Sequence, residues 1–502
     1  MTSVDSEKSP VALETDTNLE PNDFTNASPE TVTSDRGLKN DPQDPYNWPT
    51  RRKVGIAVIL SFGQLVGIMT ASIMAAALDQ ISADLHMSDS LMQMAFSVYA
   101  LGLGFGPFII APMSEVYGRK PVWIVCNSWY ILWNSVCPLG NSTLMIVARL
   151  LAGFGAASGV TLTGPVLADM FHAKDRGKSL AVAGFIPYFG PALGPILGGL
   201  VAQHLYWGWF FWIMSIFDAG VIILGLFVLR ETCAPVLRRQ KQKRAAQEGQ
   251  HTTLSTRPFS KAYFNKILGP IQVALMRPIR LLLFRPLTFY ISFNFGIDFA
   301  MYFLVLSTFA TIYIDQYNES ESSSSLHYIA IALGSVLATQ AGGPLMDLLY
   351  RYQKARSPGG NEEKPEYRVP LMAMGAGIFP VGLLWQGWAA QTRAHWAVVD
   401  AGAMVLTFAS FIYSQSFYAY LLDEFTHTAS ANAAVRMFSY FLAFVFPLFA
   451  TQLYDRLGYG WGNTLLALVF VVLGFPSVAG LWFFGPKIRG LGKTEEAAVD
   501  ID

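Results

Sequence analysis

Charge is what this chain has least of. Only 14% of its 502 residues are Asp, Glu, Lys or Arg, against roughly a quarter in a soluble domain. With 52% hydrophobic residues, it has too little polar surface for a water-soluble globule, and an integral membrane protein is implied. Cysteine is scarce as well. Cys126 and Cys137 lie within an apolar span and Cys233 follows one, which argues against a disulfide framework. The seven histidines are scattered with no Cys/His spacing suited to a metal. There is no phosphate-binding glycine loop of the P-loop type and no soluble-enzyme signature, so direct ATP drive, catalysis and a cofactor are not expected. A cleavable signal peptide is also missing. Residues 1–53 are mostly polar and rich in Ser, Thr, Asp and Glu; they read as a disordered tail, with the first apolar span serving as the insertion signal.

What the chain has is long apolar runs. Twelve segments reach spanning length, near 54–78, 91–113, 122–140, 143–168, 179–202, 207–229, 287–313, 326–346, 370–389, 396–421, 430–453 and 461–484. Spans 3 to 6 are joined by very short loops and must form antiparallel hairpins. The division that follows is a tail at 1–53, a six-helix half at 54–230, a basic central loop at 231–286, a second six-helix half at 287–484 and a tail at 485–502. The net charge of zero says nothing about partners, but the distribution of charge does. With both termini in the cytoplasm, the inner loops hold Arg51, Arg52, Lys53, Arg119, Lys120, Lys174, Arg176 and Lys178, and later Arg351, Lys354, Arg356, Lys487 and Arg489. The outer loops hold only Arg393 and Arg456, as the positive-inside bias requires. The central loop has Glu231 and Glu248 as its only acids and reads as a solvated linker; Lys261–Arg285 could lie amphipathically on an anionic leaflet. Its basic run at 238–244 is a poor nucleic-acid patch on a twelve-span chain. Trp207, Trp209, Trp396, Trp461 and Trp482 near span ends read as interfacial anchors. Asn141 and Asn318 open glycosylation sequons in outer loops, the first too near the membrane to be modified easily.

Span 5 is unusual. Pro187, Pro191 and Pro195 recur every four residues, as do Gly190, Gly194 and Gly198, with Gly184 before them and Gly199 after. Each interior Pro costs a helix in water roughly 3 kcal/mol and each Gly about 1. In lipid the backbone must stay helical, so the freed carbonyls of Ala183, Pro187 and Pro191 bend the helix or borrow donors, and the glycines form a bare strip for close helix contact. Charges inside spans are costly and normally face a cavity or a partner. Asp218 sits near the middle of span 6 and Asp298 near the middle of span 7. Carboxylates withdrawn from water can take up and release a proton near neutral pH. Asp298 is therefore the leading proton or substrate-cation candidate and Asp218 the second, with hydrogen bonding to a neighbouring helix as the alternative for each. Arg436, about two turns from the inner end of span 11, reads as inner-side structure. Gln64, Tyr188, Asn294, Tyr302, Tyr413 and Gln415 are polar or aromatic near mid-span and are cavity candidates, though packing explains any one of them. Aromatics with a carboxylate would suit lipophilic or cationic molecules.

The two halves carry a repeat. Pro112, Glu115 and Arg119 follow span 2, and Pro344, Asp347 and Arg351 follow span 8, with the same spacing at equivalent places. The loop Ala111–Lys120, the run Arg149–Gly155, the span-5 stretch, and the segment Ala429–Arg436 with Pro447 beyond it together resemble a major facilitator superfamily transporter. Among these the chain is similar to the twelve-span fungal drug:proton antiporters of the polyamine/multidrug-resistance type, from about Asp44 to Arg489. The resemblance implies an all-α membrane protein of twelve transmembrane helices in two six-helix pseudo-symmetric halves. It implies that Glu115, Gly118 and Arg119 form a cytoplasmic gate in which the acid meets a helix N-terminus of the other half and Arg119 pairs with Asp169; Asp347 and Arg351 are the second-half counterparts. Ala111, Glu115 and Val116 depart from the usual residues of that loop. The resemblance also makes Arg149 a proton-relay and structural residue, the alternative being an arginine that caps backbone carbonyls. It makes span 5 an antiporter motif, expected to bend near its outer end and to lay its glycine strip against span 8.

The function implied is proton-driven export of an organic molecule across the plasma membrane by a monomer, with small organic substrate, protons and lipid as partners. An importing proton symporter or facilitator for a polyamine, vitamin or organic acid stands as the alternative, and a transport-inactive sensor as a third reading.

Overall fold

Apolar stretches of this length cannot leave backbone polar groups bare in lipid, so each satisfies them along its own length as a helix. The computed structural model describes residues 44–171, 183–238, 276–356, 364–425 and 428–491, the side chains of 428 and 429 excepted. The N-terminal tail to residue 43, the loop with Lys174, Arg176 and Lys178, most of the basic central loop and the tail from 492 lie outside the described residues, and so do the expectations that concern them.

The first half holds α1 (Thr50–Ser72), α2 (Asp89–Tyr117), α3 (Arg119–Val136), α4 (Ser142–Met170), α5 (Gly190–His204) and α6 (Trp209–Val228). The second holds α7 (Pro286–Tyr317), α8 (Tyr328–Arg356), α9 (Val369–Gln391), α10 (Trp396–Glu424), α11 (Thr428–Val445) and α12 (Ala450–Gly490). Among the described residues, ten stretches are long and apolar enough to cross a membrane. One of them, Ser430–Gly490, contains two spans, because the backbone leaves the helix at Gly458, where φ is 71°. The helix α3 is a twelfth, diluted in apolarity by Arg119, Lys120, Asn127 and Asn134. Helix starts follow the side chains available: Ser88 Oγ accepts from Leu91 N at 3.4 Å to open α2, and Asn141 Oδ1 accepts from Leu144 N at 3.0 Å to open α4.

Helix pairing repeats between the halves. The pairs α2–α4, α3–α4, α3–α6 and α1–α5 recur as α8–α10, α9–α10, α9–α12 and α7–α11. The main pairs that cross between halves are α2–α11 and α5–α8, which the same two-fold relation exchanges. The fold is thus two six-helix halves around a central axis. Its terminal end carries the start of α1 and the end of α12; the opposite end is called the far end below. Far-end contacts join the halves. Ser320 Oγ donates to Gln203 Oε1 at 3.4 Å, Gln452 Nε2 donates to Ser90 Oγ at 3.4 Å, and the Phe96 and Phe303 rings stack at 5.3 Å.

Span 5 departs from the expected arrangement. Its break lies early, at the tight turn Ile186–Phe189 that precedes α5, and not at the far end. The glycine strip faces α1 within its own half: a Cβ at Gly194 would stand 2.5 Å from Met69 O, and one at Gly198 would collide with Ile73 O. Only Gly199 faces the other half, against Glu321 and Ser325 at the turn into α8. The freed Ala183 carbonyl borrows a donor, Ser61 Oγ of α1 at 2.7 Å. The physical reason is the helix period: residues four apart share one face, and that face is the one pressed on α1, while Gly199 is turned about 100° away. Trp207 likewise is no interfacial anchor. It is buried and donates to Asp84 Oδ2 at 2.7 Å.

Candidate transport site

A cavity of about 390 Å³ lies between the halves. From the first half it is lined by Gln64 and Ile68 of α1, and by Gly184, Pro187, Tyr188 and Pro191 around the break before α5. From the second it receives Phe295, Phe299 and Tyr302 of α7, Ser410, Ser414 and Gln415 of α10, and Arg436 and Tyr440 of α11. The break before α5 has a local role here: the turn Ile186–Phe189 brings both Pro187 and Tyr188 to the wall.

Asp298 is fully buried one layer behind that wall. Its Oδ2 accepts from Ser410 Oγ at 3.0 Å and from Ser414 Oγ at 2.7 Å. Its Oδ1 has no hydrogen-bond partner among the described residues, and neither has the buried Tyr302 hydroxyl. Ser410 and Ser414 are four residues apart on α10, hence on one face, and both line the cavity. A single serine hydroxyl, on either Ser410 or Ser414, therefore separates Asp298 Oδ2 from the cavity.

Four of the six cavity candidates, Gln64, Tyr188, Tyr302 and Gln415, lie on the wall. Asn294 and Tyr413 do not. Asn294 Nδ2 donates to Tyr290 O at 2.8 Å, while its Oδ1 accepts from Tyr413 Oη at 3.4 Å and from Ser477 Oγ. This is a closed polar knot among α7, α10 and α12, on the side of α7 away from the cavity. Mid-span depth alone could not separate the two faces. Arg436, expected as inner-side structure, instead lines the cavity.

At the terminal end Arg119 Nε stands 3.5 Å from Asp169 Oδ2, and its Nη1 donates to Ser114 Oγ at 2.5 Å. Thr232 Oγ1 adds a bond to the same Asp169 oxygen at 3.2 Å. Glu115 has an exposed side chain and meets no helix N-terminus of the other half among the described residues. A different acid, Glu231, caps a helix within its own half: it accepts from Arg119 N at 2.9 Å and Lys120 N at 3.2 Å at the start of α3. Oε1 of Glu231 also accepts from Thr232 N and Cys233 N, at 3.1 and 2.9 Å. A carboxylate on exposed helix-start amides is favoured by hydrogen bonds and by the dipole together. Gly118, at φ 107°, makes this possible, because a Cβ there would collide with the Glu231 carboxylate. Asp347 and Arg351 are exposed and make no hydrogen bond or ion pair among the described residues. At that end of the second half the polar network is a different one. Arg285 Nη2 and Arg489 Nη1 each reach Glu424 at 3.2 Å, and Arg489 Nε meets Glu366 at 2.9 Å. The repeat located the equivalent turns, but not which acid and base would pair there.

A family model for the Major Facilitator Superfamily matches residues 60–447. The chain belongs to the Major Facilitator Superfamily. It is 40% identical over 423 residues to a probable efflux pump, mfs2, of Aspergillus flavus, covering 83% of this chain and 98% of that one. It is 32% identical over 496 residues to efflux pump vrtL of Penicillium aethiopicum, covering 97% and 95%. Among solved structures, that of a D-xylose-proton symporter aligns at a TM-score of 0.63 and 16% identity over 87% of this chain and 99% of that one, which speaks to fold alone.

Within this superfamily member the other two intramembrane charges lie away from the cavity. Arg149 is fully buried and donates to three carbonyls: Thr70 O at 2.9 Å, Phe96 O at 3.1 Å and Ala95 O at 3.3 Å. Its guanidinium also lies 4.6 Å from the centre of the Tyr99 ring. It ties α4 to α1 and α2. Asp218 is fully buried on α6, with neither oxygen hydrogen-bonded among the described residues. Asn141 and Asn318 are both exposed; Asn141 is committed to capping α4, whereas Asn318 ends α7 in a left-handed conformation, φ 54°. A far-end cluster escaped sequence reasoning: His327 Nδ1 lies 2.8 Å from Asp400 Oδ2 and its Nε2 lies 3.1 Å from Glu319 Oε2. The three residues are too far apart in sequence for spacing to join them.

Proposed function

We propose that this protein is a proton-coupled efflux transporter that carries an organic molecule, a drug or secondary metabolite, out across the plasma membrane by alternating access. The observation that carries the coupling is Asp298, buried, with one oxygen held by two cavity-wall serines and the other without a hydrogen-bond partner among the described residues. A carboxylate in that position can change protonation as the cavity fills or empties, and binding energy then couples cargo to proton. Relatives named as efflux pumps over nearly their whole length support the direction. The far-end contacts between halves support a conformation that faces the terminal end, where the described pairs Arg119–Asp169, Arg285–Glu424 and Arg489–Glu366 each lie within one half. That end is cytoplasmic on the positive-inside rule. Rocking the halves would open the far end and close the Arg119–Asp169 end. The reading is of a monomer whose partners are cargo, protons and lipid.

The test is transport by the purified chain in proteoliposomes with an imposed pH gradient. The wild-type protein moves cargo against the proton flow, and collapse of the gradient abolishes concentrative transport. Asp298→Asn is expected to retain cargo binding while losing at least about tenfold of the gradient-driven rate, about 1.4 kcal/mol of coupling. Unchanged concentrative transport in that variant would remove Asp298 from the coupling. Movement of cargo with the proton flow would make the protein a symporter.

A further inference from the structure

We propose that the cargo of the central cavity is an aromatic molecule bearing an acidic group, a carboxylate or phenolate, with Arg436 as the partner of that charge. The proposal rests on the efflux reading and adds the chemical class of the cargo.

The walls select for rings. Tyr188 and Tyr302 stand edge-on to Phe411 at 6.0 and 5.9 Å, and Phe299 meets Tyr440 at 5.3 Å with the planes at 86°. Such edge-to-face corners continue naturally onto a flat aromatic guest. The volume of about 390 Å³ lies in the range of small drug-sized sites.

The charge of the wall decides the sign. Asp298, the acid that would have suited a cation, is screened behind Ser410 and Ser414 and has no surface of its own. Among the described residues lining the cavity, Arg436 is the only charged side chain. Its Nε donates to Asn432 Oδ1 at 3.2 Å, one turn earlier on the same helix, and it makes no ion pair among the described residues. A guanidinium has five N–H donors in a planar fork suited to a carboxylate or other oxyanion. Half-buried and with only a neutral partner, it is an unbalanced positive charge in a region of low dielectric, where an arriving anion gains more than it would in water. A cation entering the same space would meet repulsion with no acid on the wall to offset it. Gln64 and Gln415 supply neutral hydrogen-bonding groups for the rest of the guest.

The experiment uses the full chain purified into lipid nanodiscs for binding and into proteoliposomes for transport, with three size-matched probes at neutral pH. These are 2-naphthoate, 2-acetonaphthone and (2-naphthylmethyl)trimethylammonium. Equilibrium dialysis is expected to show naphthoate bound at least about tenfold more tightly than the ammonium probe, a difference of about 1.4 kcal/mol. Arg436→Gln should abolish that preference while leaving acetonaphthone binding in place, and Arg436→Lys should keep part of it. The ammonium probe bound as well as naphthoate, or neither bound above background, overturns the proposal whether or not the variants fold, because the comparison is made on the wild-type chain. A naphthoate preference that survives Arg436→Gln removes Arg436 as its origin and overturns the proposal as stated. Selective naphthoate binding with no gradient-driven movement of any probe would leave this inference standing and sink the efflux reading instead.

Discussion

A guanidinium inside a span needs partners, and Arg149 and Arg436 find different ones. Arg149 spends its donors on the carbonyls of Thr70, Ala95 and Phe96, so its charge is spread into backbone dipoles at a three-helix junction. Arg436 holds one asparagine and faces the cavity. The same residue type is structural in one place and available to a guest in the other. Neither fact is visible in the sequence, where both are arginines within apolar runs. A single thiol reports on the gate. Cys233 is buried beside Glu115, whose carbonyl its Sγ approaches at 3.8 Å. Burial pushes the thiol above its ordinary value. The thiolate is the reactive form, so at pH 8 less of Cys233 is ionised than of a free cysteine, and alkylation rises only as the pH climbs beyond it. N-ethylmaleimide labelling followed by mass spectrometry across that range should find Cys233 slower than a free-thiol standard at pH 8 and gaining on it at higher pH. Labelling as fast as the standard at pH 8 would mean the segment after Glu231 is undocked.

At the scale of the element, the informative helix is the one that composition singles out. Proline at every fourth residue tightens the span into a 3-10 turn at Ile186–Phe189, and the glycines let α5 lie directly on α1. The sequence pattern announced a bent helix with a bare strip. It could not say which neighbour would fill the strip, because helices of both halves offer apolar surface of similar kind, and lipid gives no preference between them. The consequence is measurable. Gly194→Leu must displace both Met69 O and Ser72 Oγ, each 2.5 Å from the Cβ position, and overpacking of this kind costs about 1–3 kcal/mol. Gly220→Leu, on α6 with nothing within 4 Å of the Cβ position, is the matched control. Thermal unfolding in detergent should show a clear drop for the first and little change for the second, with transport lost only in the first. Equal melting temperatures would mean that α1 yields without cost and that the close approach is dispensable.

At the scale of the whole molecule, alternating access requires the far-end contacts to break in every cycle. Gln203 on α5 and Ser320 before α8 meet across the halves. In a background without the three native cysteines, Gln203→Cys with Ser320→Cys should be joined by a short bifunctional thiol reagent in the resting protein. The link should stop transport while binding from the terminal end persists, and a reducible linker should restore transport on reduction. Full transport with the link in place would show that the far end need not open.

The length of apolar runs, motif spacing and charge placement, read from the sequence alone, determined the twelve spans, their division into two halves, the repeat after spans 2 and 8, and the carboxylates worth watching in spans 6 and 7. Those are properties of consecutive residues, and lipid enforces them strongly because unpaired backbone and isolated charge are both expensive there. Tertiary structure alone decided which face of each span looks into the cavity. It turned Asn294 and Tyr413 away, brought Arg436 in, set Ser410 and Ser414 in front of Asp298, and placed Glu231 on the first amides of α3. The reason is that a helix rotates its side chains by about 100° per residue, so depth in the membrane is written in the sequence, whereas the direction a side chain faces depends on how its helix is rotated against its neighbours.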